Sequence, residues 1–105
     1  MAISYPTAAR VSGSDMPIST PLSVTAVVIA PANLNRAPEG LLINNANQTL
    51  YVSMTGDPAT TSGNSIPIPP NGGTLDIPGQ YTGAISGIWA GAGVGSCIFH
   101  QYTYQ

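Results

Sequence analysis

A thiol near an imidazole is the arrangement of a nucleophile and its base, and Cys97 with His100 is the pair in this sequence that invites that reading. A spacing of three along a strand sends the two side chains to opposite faces, so no dyad forms there. Cys97 reads instead as a small buried residue, and His100 as part of a sheet surface or a subunit contact. The carboxylates are Asp15, Glu39, Asp57 and Asp76. A calcium site from Asp57 and Asp76 would need about six or more oxygens, and no dense acidic cluster surrounds either residue. Asp57 before Pro58 suits a turn, and Asp76 alternates outward from Leu75 and Ile77.

Two further stretches imitate binding motifs. Gly91-Ala92-Gly93-Val94-Gly95-Ser96 echoes a nucleotide loop, but its third spacing fails and a strand follows where a helix N-terminus would be needed for phosphate. Trp89 with Tyr51, Tyr81, Tyr102 and Tyr104 could form a sugar-stacking face, although a single Trp flanked by Gly87 and Gly91 in a β-run is more simply core or interface. The expectation is a protein that is not an enzyme, with no cofactor and no metal.

The elements that would carry these residues are strands. With 12 Gly and 10 Pro spread between runs rich in Ile, Val and Thr, the chain has the punctuation of an all-β domain, and no window shows a helical period. Strands are predicted near 22–29, 40–45, 48–55, 64–68, 73–77, 84–90 and 96–104. Asn44-Asn45-Ala46-Asn47 predicts a tight hairpin, Pro70-Asn71-Gly72-Gly73 the next reversal, and the loop Gly91 to Gly95 a final hairpin. Leu50, Val52 and Met54 share the core face, opposite Tyr51 and Ser53. Pro67 and Pro69 place their stretch on a sheet edge or in an extended loop.

The fold class is therefore all-β, a single-domain antiparallel β-sandwich, jelly-roll-like, over residues 21–105. Residues 1–20, broken by Pro6, Gly13 and Pro17, read as an extended N-terminal arm, either anchored on a neighbour through Ile3, Tyr5, Val11 and Ile18 or frayed.

Only 6% of the 105 residues are charged, there is no Lys, and the formal net charge is −2, which excludes a phosphate-binding surface and hence nucleic acid. No apolar run approaches the roughly 20 residues of a membrane span. LSVTAVVIA, residues 22–30, mimics a signal peptide but contains Ser23 and Thr25 and is β-branched, so it reads as a strand of a protein used without export. Low charge gives copies little mutual repulsion, and the aliphatic core is modest for the entropy of ordering the chain. Both point to an oligomer or an assembly-bound subunit. Arg10 and Arg36, the only cations, are expected to pair with Asp15, Glu39 or a partner carboxylate.

NRAPEGLLINNANQTLYVSMTG followed by IPIPPNGGTLDIPGQYTGAISGIWA resembles small β-rich virion proteins of tailed bacteriophages. The features are Asn35-Arg36, the strands Leu41 to Asn45 and Thr49 to Ser53, the reversal Pro70 to Gly73, and the segment Tyr81 to Ala90. The resemblance implies a capsid decoration or cement protein on the virion surface, a homo-oligomer with a trimer favoured, bound to the major capsid protein. It also implies candidate contacts, namely Ile3, Tyr5, Arg10, Arg36, Trp89 and Tyr102. The alternative is a tail or fibre-associated module that binds host-surface glycan through Tyr81, Trp89 and Tyr102.

Overall fold

Alternating apolar residues between Gly- and Pro-rich turns build short strands, eight of them in the computed structural model, which describes residues 17–34, 40–62, 65–78 and 81–100. They are β1 (Ile18–Pro21), β2 (Val27–Ala30), β3 (Gly40–Asn44), β4 (Leu50–Ser53), β5 (Ile66–Ile68), β6 (Gly73–Ile77), β7 (Ile85–Trp89) and β8 (Ser96–His100). One sheet has the order β1-β8-β3-β6 and the other β2-β7-β4-β5. All pairings are antiparallel, and they nest: β1 with β8, β2 with β7, β3 with β6 and β4 with β5. The β3–β8 and β4–β7 pairings then join these ribbons into sheets. The described strands thus form one long two-stranded ribbon, reversed between β4 and β5 and packed as a two-layer antiparallel sandwich.

That winding corrects the three predicted hairpins. β3 and β4 lie in different sheets, as do β5 and β6, and β7 and β8; only β4 and β5 are both consecutive and paired. A two-residue type I′ hairpin needs positive φ at both central residues. None of Asn44, Asn45, Ala46 or Asn47 has it, since Asn71 is the one non-glycine with positive φ among the described residues. The 45–49 segment therefore crosses from one sheet to the other instead of doubling back.

The strand faces follow the expected alternation more closely. Leu42, Ile77, Cys97 and Phe99 point inward from the first sheet, against Ile29, Ala30, Leu50, Val52, Ile68, Ile85 and Trp89 from the second. Met54 is half-buried against this core. β5, with Pro67, lies at a sheet edge, where a missing N–H breaks no ladder. β1 begins inside residues 1–20, expected as an extended arm; as an edge strand it tolerates Pro21, and pairing with β8 buries Thr20. Residues 1–16 lie outside the described residues. Leu22 to Ala26, expected as strand, instead form the crossing from β1 to β2.

Candidate functional site

Asn44 ends β3 with its side chain turned inward, and it is fully buried. An uncompensated buried amide is costly, so its partners decide whether the site is sound. Its Nδ2 donates to the carbonyls of Gln48 at 2.9 Å, Ile68 at 3.2 Å and Pro69 at 3.1 Å, which its two hydrogens must share. Its Oδ1 accepts from the backbone N–H of Ala46 at 3.2 Å and from the indole Nε1 of Trp89 at 3.1 Å. Those partners fix the amide orientation, since the reverse would set oxygen against three carbonyls. One side chain thereby ties together β3, β4's lead-in, the end of β5 and β7.

The same end of the sandwich gathers the crossings. Gly72 N–H donates to the Asn44 carbonyl at 2.7 Å and Asn71 N–H to Ala46 at 2.9 Å. Asn47 and Val94 are joined twice, by Asn47 N–H to the Val94 carbonyl at 3.1 Å and by Val94 N–H to Asn47 Oδ1 at 3.0 Å. Leu22 N–H reaches the Gly95 carbonyl and Trp89 N–H the Ser23 carbonyl, both at 3.0 Å. These links stiffen the loops at this end of the sandwich.

Trp89 is 1% exposed, which corrects its place among the candidate contacts: its ring is core and its N–H is used by Asn44. The proposed sugar groove loses a second wall, because the half-buried Tyr81 packs on the core and its hydroxyl donates to the Ala84 carbonyl. Ile3, Tyr5, Arg10, Arg36 and Tyr102 lie outside the described residues, as do Asp15 and Glu39.

Cys97 and His100 do face opposite sides of β8, Cys97 buried and His100 half-buried. Burial pushes the Cys97 thiol up to about 11 from 9.0, against a smaller downward pull from the Thr20 hydroxyl. Reactivity needs the thiolate, so this cysteine is inert at neutral pH. A disulfide reagent such as Ellman's is expected to titrate no Cys97 in the native protein and one full thiol after unfolding; rapid labelling of the folded chain contradicts the burial. The raised thiol also sets a sign: folded stability is whole below pH 9 and falls as pH rises from about 9 to about 11, where the unfolded thiol ionises first.

Among the described residues no three His, Cys, Asp or Glu side chains gather to hold a metal. A shallow cleft of about 170 Å³ between Val27, Val28 and the turn at Gly56 to Pro58 holds Asp57 as its only titratable group. It is smaller than the roughly 300–1,000 Å³ of small-molecule sites. No helix of the described residues is long and apolar enough to cross a membrane.

What the fold does present is two outer faces. On the second sheet the loop after β4 folds back: Ala59 is buried, its N–H donates to Ser86 Oγ at 2.9 Å, and Ser53 beneath is fully buried though it points away from the core. On the first sheet the central outward positions are aliphatic. Leu41 and Ile43 of β3 and Ile98 of β8 are half-buried there, with Ile43 directly opposite Ile98. Leu41 sits in a row between His100 on one side and Asp76 on the other. Outward positions of a solvated sheet are ordinarily polar. This face was missed because the runs LLI and CIF signal strand without saying which neighbours cover them.

All four sheet edges are blunted. β1 ends at Pro21, β5 carries Pro67, β6 turns Asp76 outward, and β2 is broken by a bulge between Val28 and Ala30. Each is a device against strand addition.

No family model, curated protein or solved structure matches the chain.

Proposed function

We propose that the chain is a non-enzymatic structural protein of a bacteriophage particle, a capsid decoration or cement protein that binds the major capsid protein and stabilises the head surface as a homo-oligomer. The resemblance of the segments from Asn35 to Trp89 supports the phage setting and implies three copies. The observation that carries the mechanical reading is the combination of a tied-down sandwich with an aliphatic outer face at Leu41, Ile43 and Ile98. Such a part works by burying area across a joint, and needs no reacting group. On this reading the nested pairing is a jelly-roll winding, a form used by viral capsid and lectin domains alike, so the fold lends the proposal only an analogy.

Low charge suits the role. A contact made by aliphatic, Ser, Thr and Asn groups avoids the several kcal/mol, roughly, of desolvating each buried ion. Virions prepared without the protein are expected to assemble full heads that release DNA on heating or at low salt, and added protein should restore them. Heads that stay tight but fail to adsorb to the host would move the role to the tail.

A further inference from the structure

We infer that Asn71-Gly72 is a site of spontaneous covalent modification, deamidation to aspartate and isoaspartate, which the fold holds in check by docking this turn on Asn44 and Ala46. The inference goes beyond the proposed function and does not rest on it. Of the seven asparagines, Asn71 alone precedes a glycine. The next residue's backbone nitrogen attacks the asparagine side chain, and a following residue without Cβ leaves that approach open. Water is the only co-reactant. The Gly72 nitrogen gives its proton to solvent and bonds to Asn71 Cγ, the Cγ–Nδ2 bond breaks, and Nδ2 leaves as ammonia. Water then opens the five-membered imide. Cleavage between Cγ and the Gly72 nitrogen yields aspartate. Cleavage of the original peptide bond yields isoaspartate, with the main chain rerouted through the side chain and one carbon longer.

Both residues are exposed, so water reaches them, and the restraint falls on the nitrogen. Asn71 (φ 59°) and Gly72 (φ 104°) stand in the middle of the turn from Pro70 to Gly73, in the left-handed backbone that Asn and Gly tolerate. Gly72 N–H donates to the Asn44 carbonyl at 2.7 Å and Asn71 N–H to the Ala46 carbonyl at 2.9 Å. A Gly72 nitrogen stripped of its proton would face the Asn44 oxygen lone pair to lone pair, and turning toward Asn71 Cγ forfeits the bond. The accepting segment is itself fixed, since Asn44 is fully buried and its Oδ1 holds the Ala46 N–H. Conversion therefore requires the turn to lift away. That opening loses two hydrogen bonds, each worth about fivefold in the equilibrium, so the folded chain should convert about twentyfold or more slowly than the unfolded one. Isoaspartate no longer fits, because its extra carbon moves Gly72 N–H out of register with Asn44 while Asn71 N–H stays on Ala46. Aspartate leaves the backbone path unchanged and tolerates the left-handed state.

Mass spectrometry of the full chain, incubated folded and in denaturant at one mildly alkaline pH, tests this, with an isoaspartyl methyltransferase to tell the products apart. In denaturant Asn71 is expected to convert before any other asparagine. Asn71→Gly, which suits the left-handed turn, should abolish that first conversion. In the folded chain, conversion at Asn71 should be slowed by the same factor, within about threefold, as hydrogen exchange of the Gly72 amide, since both pass through one opening. Folded chains that have formed isoaspartate should lose protection of that amide, and those with aspartate should keep it. Conversion as fast folded as unfolded, earlier conversion at another asparagine, slow conversion beside an unprotected Gly72 amide, or isoaspartate chains that keep the protection would each overturn the inference.

Discussion

Asn44→Leu is expected to destabilise the protein by about 3 kcal/mol or more, the largest loss from any single polar side chain described here. The leucine is similar in size, so the change is chiefly in hydrogen bonding. It strands the Trp89 indole N–H, the Ala46 N–H and the carbonyls of Gln48, Ile68 and Pro69 in a buried site, and each unsatisfied group costs roughly 1–3 kcal/mol before relaxation or water entry. At about 4–8 °C of melting temperature per kcal/mol for a domain of this size, the fall should be on the order of 12–24 °C. Trp89→Phe removes only the indole donor and should cost about 1 kcal/mol for the bond, with a further packing loss. Combined with Asn44→Leu it should cost less than the sum, since both act on one bond.

Asn44→Asp adds a pH signature. A carboxylate oxygen in place of Nδ2 would face three carbonyls in a dry site, so the folded state favours the neutral acid and raises its pKa above the unfolded value of about 3.9. A group raised on folding gives its full contribution below the unfolded pKa and loses it as pH rises through the folded one. The variant should therefore sit closest to the unaltered protein near pH 3–4 and lose about 3–5 kcal/mol by neutral pH. Thermal or denaturant unfolding across that range checks it. A loss equal at both ends would mean that the site admits water or rearranges around the charge.

The parts of the fold legible in the sequence were those written locally. The bounds of β3, β5 and β6 fall within two residues of expectation because Gly and Pro punctuate them and apolar residues alternate within them. The inward set of β4 and the outward place of Asp76 follow from the same alternation. Pairing was not local. Each turn announced a change of direction, but the partners of β3 are β6 and β8, both distant in the chain. Asn44 reads as a turn residue in its own neighbourhood, and only carbonyls 24 and 25 residues away and an indole 45 residues away make it the keystone of the core. The outer face is a similar case. Leu41, Ile43 and Ile98 look like ordinary strand residues until register sets them side by side.

Gly95→Ala is expected to be the second severe change, at about 2–4 kcal/mol, and it tests how firmly the crossings hold the two sheets. Gly95 has φ +116°, a backbone state that L residues rarely adopt, and its carbonyl receives Leu22 N–H from the β1–β2 crossing. A Cβ there would lie 2.5 Å from Ala46 Cα and 2.8 Å from the Asn45 carbonyl oxygen. Both are backbone atoms of a segment already tied to Asn44, so neither can swing aside as a side chain would. Gly56 provides the control, since its φ of +89° is strained for alanine in the same sense but an added Cβ meets nothing within 4 Å. Gly56→Ala should therefore show the conformational cost alone, about 1 kcal/mol or somewhat more. Overlap with the Ala46 backbone should add roughly 1–3 kcal/mol at Gly95. Chemical denaturation of the two variants side by side separates these contributions. Equal losses would show that the 45–49 and 90–95 crossings slide apart at little cost, and that they do not hold the two sheets rigidly together.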